Sequence, residues 1–267
     1  MLHIVSCVKQ TPKSDNVKID PATGCLIRSG TESAMNPFDE FALEEAVTLK
    51  EQVGGKVSVI TMGPPQSQEV IREAFMMGVD RGFLLSDRRF GGADVLATSY
   101  TLAQGIKAAG NFDLIICGKQ TTDGDTAQVG AELAEFLDIP HVTCVCKLGS
   151  ITEKSITAEL DLPLHTGTAE IAFPCLITVE KGIFEPRLPS YKRKLATRDR
   201  EITVLTLDDM PDKDPKHYGL NGSPTQVKRI FPPENHHDRQ MWEGNDEELA
   251  GKLFAYLENG KYLQQLR

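Results

Sequence analysis

Gly118-Lys119-Gln120-Thr121-Thr122-Asp123-Gly124-Asp125-Thr126-Ala127-Gln128-Val129-Gly130 is the stretch whose residue types and spacing could do chemistry. Its small and polar residues feed an expected helix start, where free N–H groups and the helix dipole attract phosphate. It has neither the G-x-x-x-x-G-K-S/T spacing of a P-loop nor G-x-G-x-x-G. Asp125 with Gln128 three residues on also matches a capping box, and a capping carboxylate competes with phosphate for the same N–H groups. On residue types alone, nucleotide binding and simple capping both stand.

Other chemistry is thin. His3, His141, His165, His217, His236 and His237 form no metal-ligand pattern with carboxylates or cysteines. Cys7, Cys25, Cys117, Cys144, Cys146 and Cys175 contain no C-x-x-C pair and several lie in apolar runs, so buried free thiols are expected. Ser6 and Ser58 lack a G-x-S-x-G elbow. Asp123 and Asp125 are explained by turn and cap chemistry. No catalytic side chain is expected, and any redox chemistry must be carried by a bound cofactor.

The elements that must position this loop follow from periodicity. Strands are expected at His3–Lys9, Lys56–Met62, Gly82–Leu85, Phe112–Cys117 and His141–Val145. Val17–Arg28, around Pro21–Gly24, reads as a hairpin. Asn36 as N-cap, Pro37 at the first position and Asp39 in the first turn mark a helix running to Val53. Further helices are expected at Gln68–Met77, Asp94–Ala109 and from Thr126 to Leu137. Strands alternating with such helices make a doubly wound α/β protein with a parallel sheet. Residues 151–180 read as an antiparallel extension of that sheet. The domain ends at 207; residues 208–267 read as an extended C-terminal arm with a short helix at Leu249–Leu257.

An order of 3-2-1-4-5 for the five strands would put the reversal between the first and fourth. Ligands bind beyond the carboxyl ends of strands at such a point. The crevice is then edged by Cys7, Val8 and Lys9 and by Cys117, Gly118, Lys119 and Gln120. Charge and hydropathy bound the partners. With 29 Lys+Arg against 38 Asp+Glu the net charge is -9, which disfavours nucleic acid. No run approaches the ~20 apolar residues of a membrane span. The N-terminus shows no basic flank or cleavage site, so a cytoplasmic protein is expected.

Several motifs resemble the electron-transfer flavoprotein (ETF) beta-subunit family. Asn36-Pro37-Phe38-Asp39-Glu40 with Ala42 and Glu44-Glu45-Ala46 is similar to that family's NPF-x-E…EEA helix start. Gly118-Lys119-Gln120 with Asp123, Asp125, Gln128 and Gly130 resembles its nucleotide loop. Residues 74–82 resemble its A-x-x-MGADRG turn, and Glu185-Pro186-Arg187-Leu188-Pro189 its recognition loop for a partner dehydrogenase. The four motifs keep the family's order and span the chain to about residue 205.

The resemblance implies an adenine-nucleotide α-hydrolase-like fold and a heterodimer with an alpha subunit that carries FAD. The beta subunit would hold AMP in ordinary members and a second FAD in electron-bifurcating members. Residues 86–99, Ser86-Asp87-Arg88-Arg89-Phe90-Gly91-Gly92-Ala93-Asp94-Val95-Leu96-Ala97-Thr98-Ser99, look like the bifurcating segment. Hydride would then come from NADH, with electrons passing to ferredoxin or flavodoxin and, through the alpha FAD, to a dehydrogenase of acyl-CoA or 2-hydroxy acid type.

By this resemblance Cys7 and Lys9 border the crevice, and Asn36, Pro37, Phe38 and Asp39 face the adenosine end beside Met62 and Gly63. Asp123, Gly124, Asp125, Thr126, Ala127, Gln128, Val129 and Gly130 take the phosphates and ribose. Thr98 and Ser99, or nearby backbone, approach the flavin end; the plainer alternative leaves Asp94 as a helix cap. Met62 and Gly124 differ from the common residues, and Asp39 stands where some members carry Cys. Leu188 would be an exposed docking anchor or, in the alternative, a buried turn residue. The arm would embrace the alpha subunit or fold back on its own sheet. A universal-stress-type nucleotide sensor shares the architecture and is the competitor from another class.

Overall fold

The computed structural model describes residues 2–13, 33–228, 240–260 and 262. The expected hairpin at 17–28, with Cys25, lies outside the described residues, as do His236 and His237.

The first strand is β1 (Leu2–Cys7), followed by β2 (Gln10–Pro12) and β3 (Ser33–Met35), which pair antiparallel. Then come α1 (Pro37–Val53), β4 (Gly55–Met62), α2 (Gln68–Met77), β5 (Arg81–Leu85), α3 (Val95–Ala109), β6 (Leu114–Gly118) and α4 (Val129–Leu137). The chain continues through β7 (His141–Ile151), β8 (Ser155–Leu162), β9 (His165–Ala172) and β10 (Cys175–Val179). α5 (Tyr191–Ala196), β11 (Ile202–Leu205) and α6 (Asp246–Asn259) complete it.

Nine strands form one sheet in the order β11-β5-β4-β1-β6-β10-β7-β8-β9. Alternation along the central strands explains why helices cover both faces. Ile4, Val57 and Ile116 face a core closed by Leu43 of α1 and Phe75 of α2. Val5, Ile60, Ile115 and Leu176 face the other, closed by Leu102 of α3 and Leu133 of α4. Strands buried on both faces need continuous apolar sequence, and these have it.

Two expectations are corrected here. His141–Val145 does not neighbour Phe112–Cys117, because β10 lies parallel between β6 and β7. Burial explains the order: β10 is buried at every position, whereas the start of β7 is mostly half-buried. Only β7, β8 and β9 make the antiparallel extension expected for the whole of 151–180.

The second correction is the boundary at 207. The chain divides into a compact unit ending at Ile230 and a second from Phe231 onward. Met210 and Tyr218 are buried in the α3/α4 core. The Tyr218 ring lies 5.4 Å from those of Phe90 and Tyr100, and the Tyr100 hydroxyl donates to Asp212 Oδ2 at 2.5 Å. Residues 208–228 thus belong to the sheet domain. In the second unit, Asn245 Oδ1 caps α6 by accepting from Glu248 N–H at 3.0 Å. Among the described residues, no helix is long and apolar enough to cross a membrane.

Candidate functional site: the crevice between the first and sixth strands

β1 pairs with β4 on one side and β6 on the other, with Cys7 opposite Cys117. Strand order reverses there, at the switch point expected from the sequence, beyond Cys7 and Gly118. Both cysteines are buried free thiols beneath it.

Asp39 joins the crevice rims. Its Oδ2 accepts from Lys9 N–H at 2.8 Å, and it lies over the end of β6. A Cβ on Gly118 would come within 2.7 Å of the Phe38 carbonyl carbon, so glycine there lets the start of α1 close over the strand. Burial pushes the Asp39 carboxyl up to about 7, against the hydrogen bonds from Asn36 and Lys9 that favour its charged form.

Asn36 does not cap α1 with its side chain, contrary to expectation. Its Nδ2 donates to the Gln120 carbonyl at 2.9 Å and its Oδ1 accepts from Thr122 N–H at 3.2 Å. Its backbone carbonyl already serves the first turn, taking Asp39 N–H at 2.9 Å. Asn36 thereby clips the loop after β6 onto the helix start. Lys9 Nζ reaches across the crevice to Asp123 Oδ1 at 2.7 Å. Lys119 turns the other way, to Glu180 Oε1 at 2.6 Å.

The capping box does not form. Gln120 Nε2 donates to the Asp125 carboxylate, and Asp125 and Ala127 take left-handed φ values of 51° and 54°. Such backbone costs of order 1–3 kcal/mol per non-glycine residue and tends to mark ligand clamps. α4 starts at Val129 rather than Thr126, with Gln128 as its N-cap and no side-chain cap bond. The first bond into the helix is Glu132 N–H to the Gln128 carbonyl, so the N–H groups of Val129, Gly130 and Ala131 precede it. A Cβ on Gly130 would overlap the Thr178 methyl of β10. The glycine therefore seats this helix start directly on the sheet. The residues fit a phosphate group: amides at the start of α4 that no side chain caps, beside a polar loop.

The segment expected at the flavin end is arranged differently. Ser99 is buried, and its hydroxyl donates to the Val95 carbonyl at 2.8 Å and to Glu132 Oε2 at 3.1 Å. It joins α3 to α4. Asp94 caps α3, accepting from Ala97 N–H at 3.1 Å, and its other oxygen takes both the N–H and the hydroxyl of Thr225. The plain-cap alternative therefore describes Asp94. Thr98 is half-buried. Met62 ends β4 as expected, and the N–H of Gly63 just beyond it donates to the Leu85 carbonyl at 3.1 Å.

Leu188 is 89% exposed, which removes the buried alternative. Next to it, Arg187 bonds Glu44 and Glu51 of α1. Glu185, Pro186 and Pro189 frame the same loop.

Comparison with known proteins gives the family. The family model for the electron transfer flavoprotein domain matches residues 23–210. An electron transfer flavoprotein subunit beta of Thermoanaerobacterium thermosaccharolyticum is 42% identical over 96% of this chain and 98% of its own. This chain belongs to the electron transfer flavoprotein beta-subunit family. Another member, the caffeyl-CoA reductase-Etf complex subunit CarD of Acetobacterium woodii, is 43% identical over 96% of this chain and 98% of its own. Protein FixA of Sinorhizobium fredii is 42% identical over 87% of this chain and 84% of its own. Membership removes the universal-stress competitor.

Within this family member, sequence reasoning missed Tyr191 and Leu195, which are 73% and 59% exposed. Their signal was available: 188, 191 and 195 follow helical spacing among basic residues. It also missed Glu45, a buried α1 residue whose Oε2 has no hydrogen-bond partner. Burial, with Glu44 beside it, pushes Glu45 up to about 7. A raised carboxyl pKa favours folding at low pH, and that stability is lost as pH rises from the ordinary value through about 7. Glu45→Gln mimics the protonated form. Its stability relative to the parent should therefore grow by about 2 kcal/mol between pH 5 and pH 8. Asp39 titrates alike in both proteins and cancels. Urea unfolding at the two pH values checks this; an equal difference at both would contradict it.

Proposed function

We propose that this chain is the beta subunit of an electron-bifurcating electron transfer flavoprotein. It binds FAD in the crevice between β1 and β6, accepts reducing equivalents from NADH, and pairs with an alpha subunit carrying a second FAD. One electron goes to ferredoxin or flavodoxin, and the other goes through the alpha subunit to a flavin-dependent dehydrogenase of acyl-CoA or 2-hydroxy acid type. The flavin, when bound, supplies the conversion between two-electron and one-electron transfer. The chain binds and orients it and is not active alone. A cytoplasmic location fits this role.

The observation that carries the nucleotide reading is the uncapped start of α4, seated on β10 through Gly130. Free N–H groups at a helix start hold phosphate without further charge. Asn36 and Lys9 brace the loop that leads into it. Family membership and the likeness to a caffeyl-CoA reductase-Etf complex subunit support the redox role. Leu188, with Tyr191 and Leu195, offers the dehydrogenase an apolar contact.

One observation favours the alternative, an ordinary beta subunit holding structural AMP. Ser99 and Asp94 already use their oxygens within the fold, which withdraws one hydroxyl assigned to the flavin end and a carboxylate of the same segment. The absorbance spectrum and extracted nucleotides of the purified heterodimer decide between the two. Two flavins per heterodimer, with bleaching by NADH under anaerobic conditions, are expected. One flavin and one AMP would establish the alternative.

A further inference from the structure

Among the described residues, Arg187 directs every side-chain bond it makes at α1. Its Nε donates to Glu44 Oε1 and Oε2 at 3.0 and 2.8 Å, and its Nη2 to Glu44 Oε1 at 2.9 Å. Nη1 and Nη2 reach the two Glu51 oxygens at 2.7 and 3.0 Å, and Nη2 also lies 3.5 Å from Thr48 Oγ1. The Arg187 backbone N–H adds a bond to Glu44 Oε2 at 2.9 Å. Burial works against the charged form of Glu44, but the bonds from Arg187 outweigh it and hold the carboxyl below its ordinary range. A planar guanidinium with charge-assisted, forked bonds fixes direction as well as distance.

The chain beyond Arg187 is also held. Ser190 N–H donates to the Met76 carbonyl at 3.2 Å, and Arg193 donates to that of Met77. Between Arg187 and Ser190, Leu188 and Pro189 bridge a short span, and Leu188 is almost wholly exposed. Pro186 and Pro189 flank Arg187 and Leu188 and narrow the backbone further. An exposed apolar side chain next to a half-buried, multiply bonded one is costly to arrange for stability alone.

We propose that Arg187 is the positioning residue of the docking loop: its clamp on Glu44 and Glu51 holds Leu188 and Tyr191 ready for an apolar pocket on the partner dehydrogenase. This rests on the docking role given above for the loop. Pre-ordering the loop removes an ordering cost from association. Arg187 itself need not touch the partner.

The test uses the intact heterodimer and, as probe, a purified flavin-containing acyl-CoA dehydrogenase with its acyl-CoA substrate. Arg187→Met is expected to raise the KM for the dehydrogenase about tenfold, with kcat within about twofold. Amide exchange at Leu188 and Ser190 should rise by a similar factor, and Arg187→Lys should fall between. Leu188→Ala with Tyr191→Ala should raise KM strongly in the parent but little in the Arg187→Met background. Glu51→Gln, which removes only the exposed half of the clamp, should raise KM several-fold and guards against misfolding of the arginine variant. If the apolar double variant raises KM while Arg187→Met and Glu51→Gln leave KM and exchange unchanged, the clamp is overturned and docking stands. If the apolar double variant leaves KM unchanged, the docking role itself fails and the clamp with it.

Discussion

Replacing Gly130 by Val is expected to strip the nucleotide from this chain while leaving it folded. A Cβ at 130 overlaps the Thr178 methyl and lies 3.5 Å from Leu176 Cδ2, both on β10. β10 is central and wholly buried, so it does not yield. The start of α4 must lift instead, by roughly an ångström, and the strain costs about 1–3 kcal/mol. A domain of this size tolerates that. Phosphate contacts do not, because the N–H groups of Val129, Gly130 and Ala131 shift with the helix. Affinity for the nucleotide should fall at least tenfold, which is about 1.4 kcal/mol of lost binding, and the nucleotide kept through gel filtration and released on denaturation should drop clearly below that of the parent. The alpha-subunit FAD should remain, and circular dichroism should match the parent. Gly130→Ala is expected to lie between the two. Full retention of nucleotide in a folded Gly130→Val heterodimer would remove the helix start from the binding site.

The sequence made the crevice legible because its position depends on strand order near β1, and the central strands announce themselves by unbroken apolar runs. Pro37 placed the start of α1 through local geometry alone. What escaped depended on contacts between distant residues. Asn36 could cap its own helix or hold the loop 84 residues away, and no local rule decides between them. Asp125 looked like a cap until Gln120 took its carboxylate and the backbone turned left-handed. The insertion of β10 between β6 and β7 followed from relative burial of two apolar strands, which composition ranks poorly. Arg187 was read as part of a loop motif, but its partners lie 136 and 143 residues earlier. Ser99 looked available for a ligand because its bond to the Val95 carbonyl, one helical turn back, was not anticipated.

The same problem misplaced the domain end, and correcting it changes the expected result of a truncation. Removing everything after Asp208 should damage the sheet domain rather than merely free it from its partner. Met210 and Tyr218 fill the α3/α4 core, and burial of two such side chains contributes of order 5 kcal/mol. The truncation also deletes Asp212, which accepts from Tyr100, and Thr225, which bonds Asp94 at the head of α3. Total stabilities of domains run to about 5–15 kcal/mol, so a chain of residues 1–208 should melt some 10–20 °C lower or collect as insoluble protein. A chain ending at Lys228 keeps every one of these contacts. It should melt within a few degrees of the parent. Beyond Lys228 the apolar residues Trp242, Leu249, Leu253, Phe254 and Leu257 belong to the second compact unit, the part of the 208–267 arm that stays outside the sheet domain and that is expected to embrace the alpha subunit. Residues 1–228 should therefore fold yet fail to co-purify with alpha, since the lost apolar surface no longer repays the ordering of the complex. Melting curves for both truncations and pull-down of tagged alpha separate the two effects. If residues 1–228 bind alpha with unchanged affinity, the second unit is not the clamp; if residues 1–208 melt with the parent, Tyr218 and Met210 are not part of the core that holds the domain.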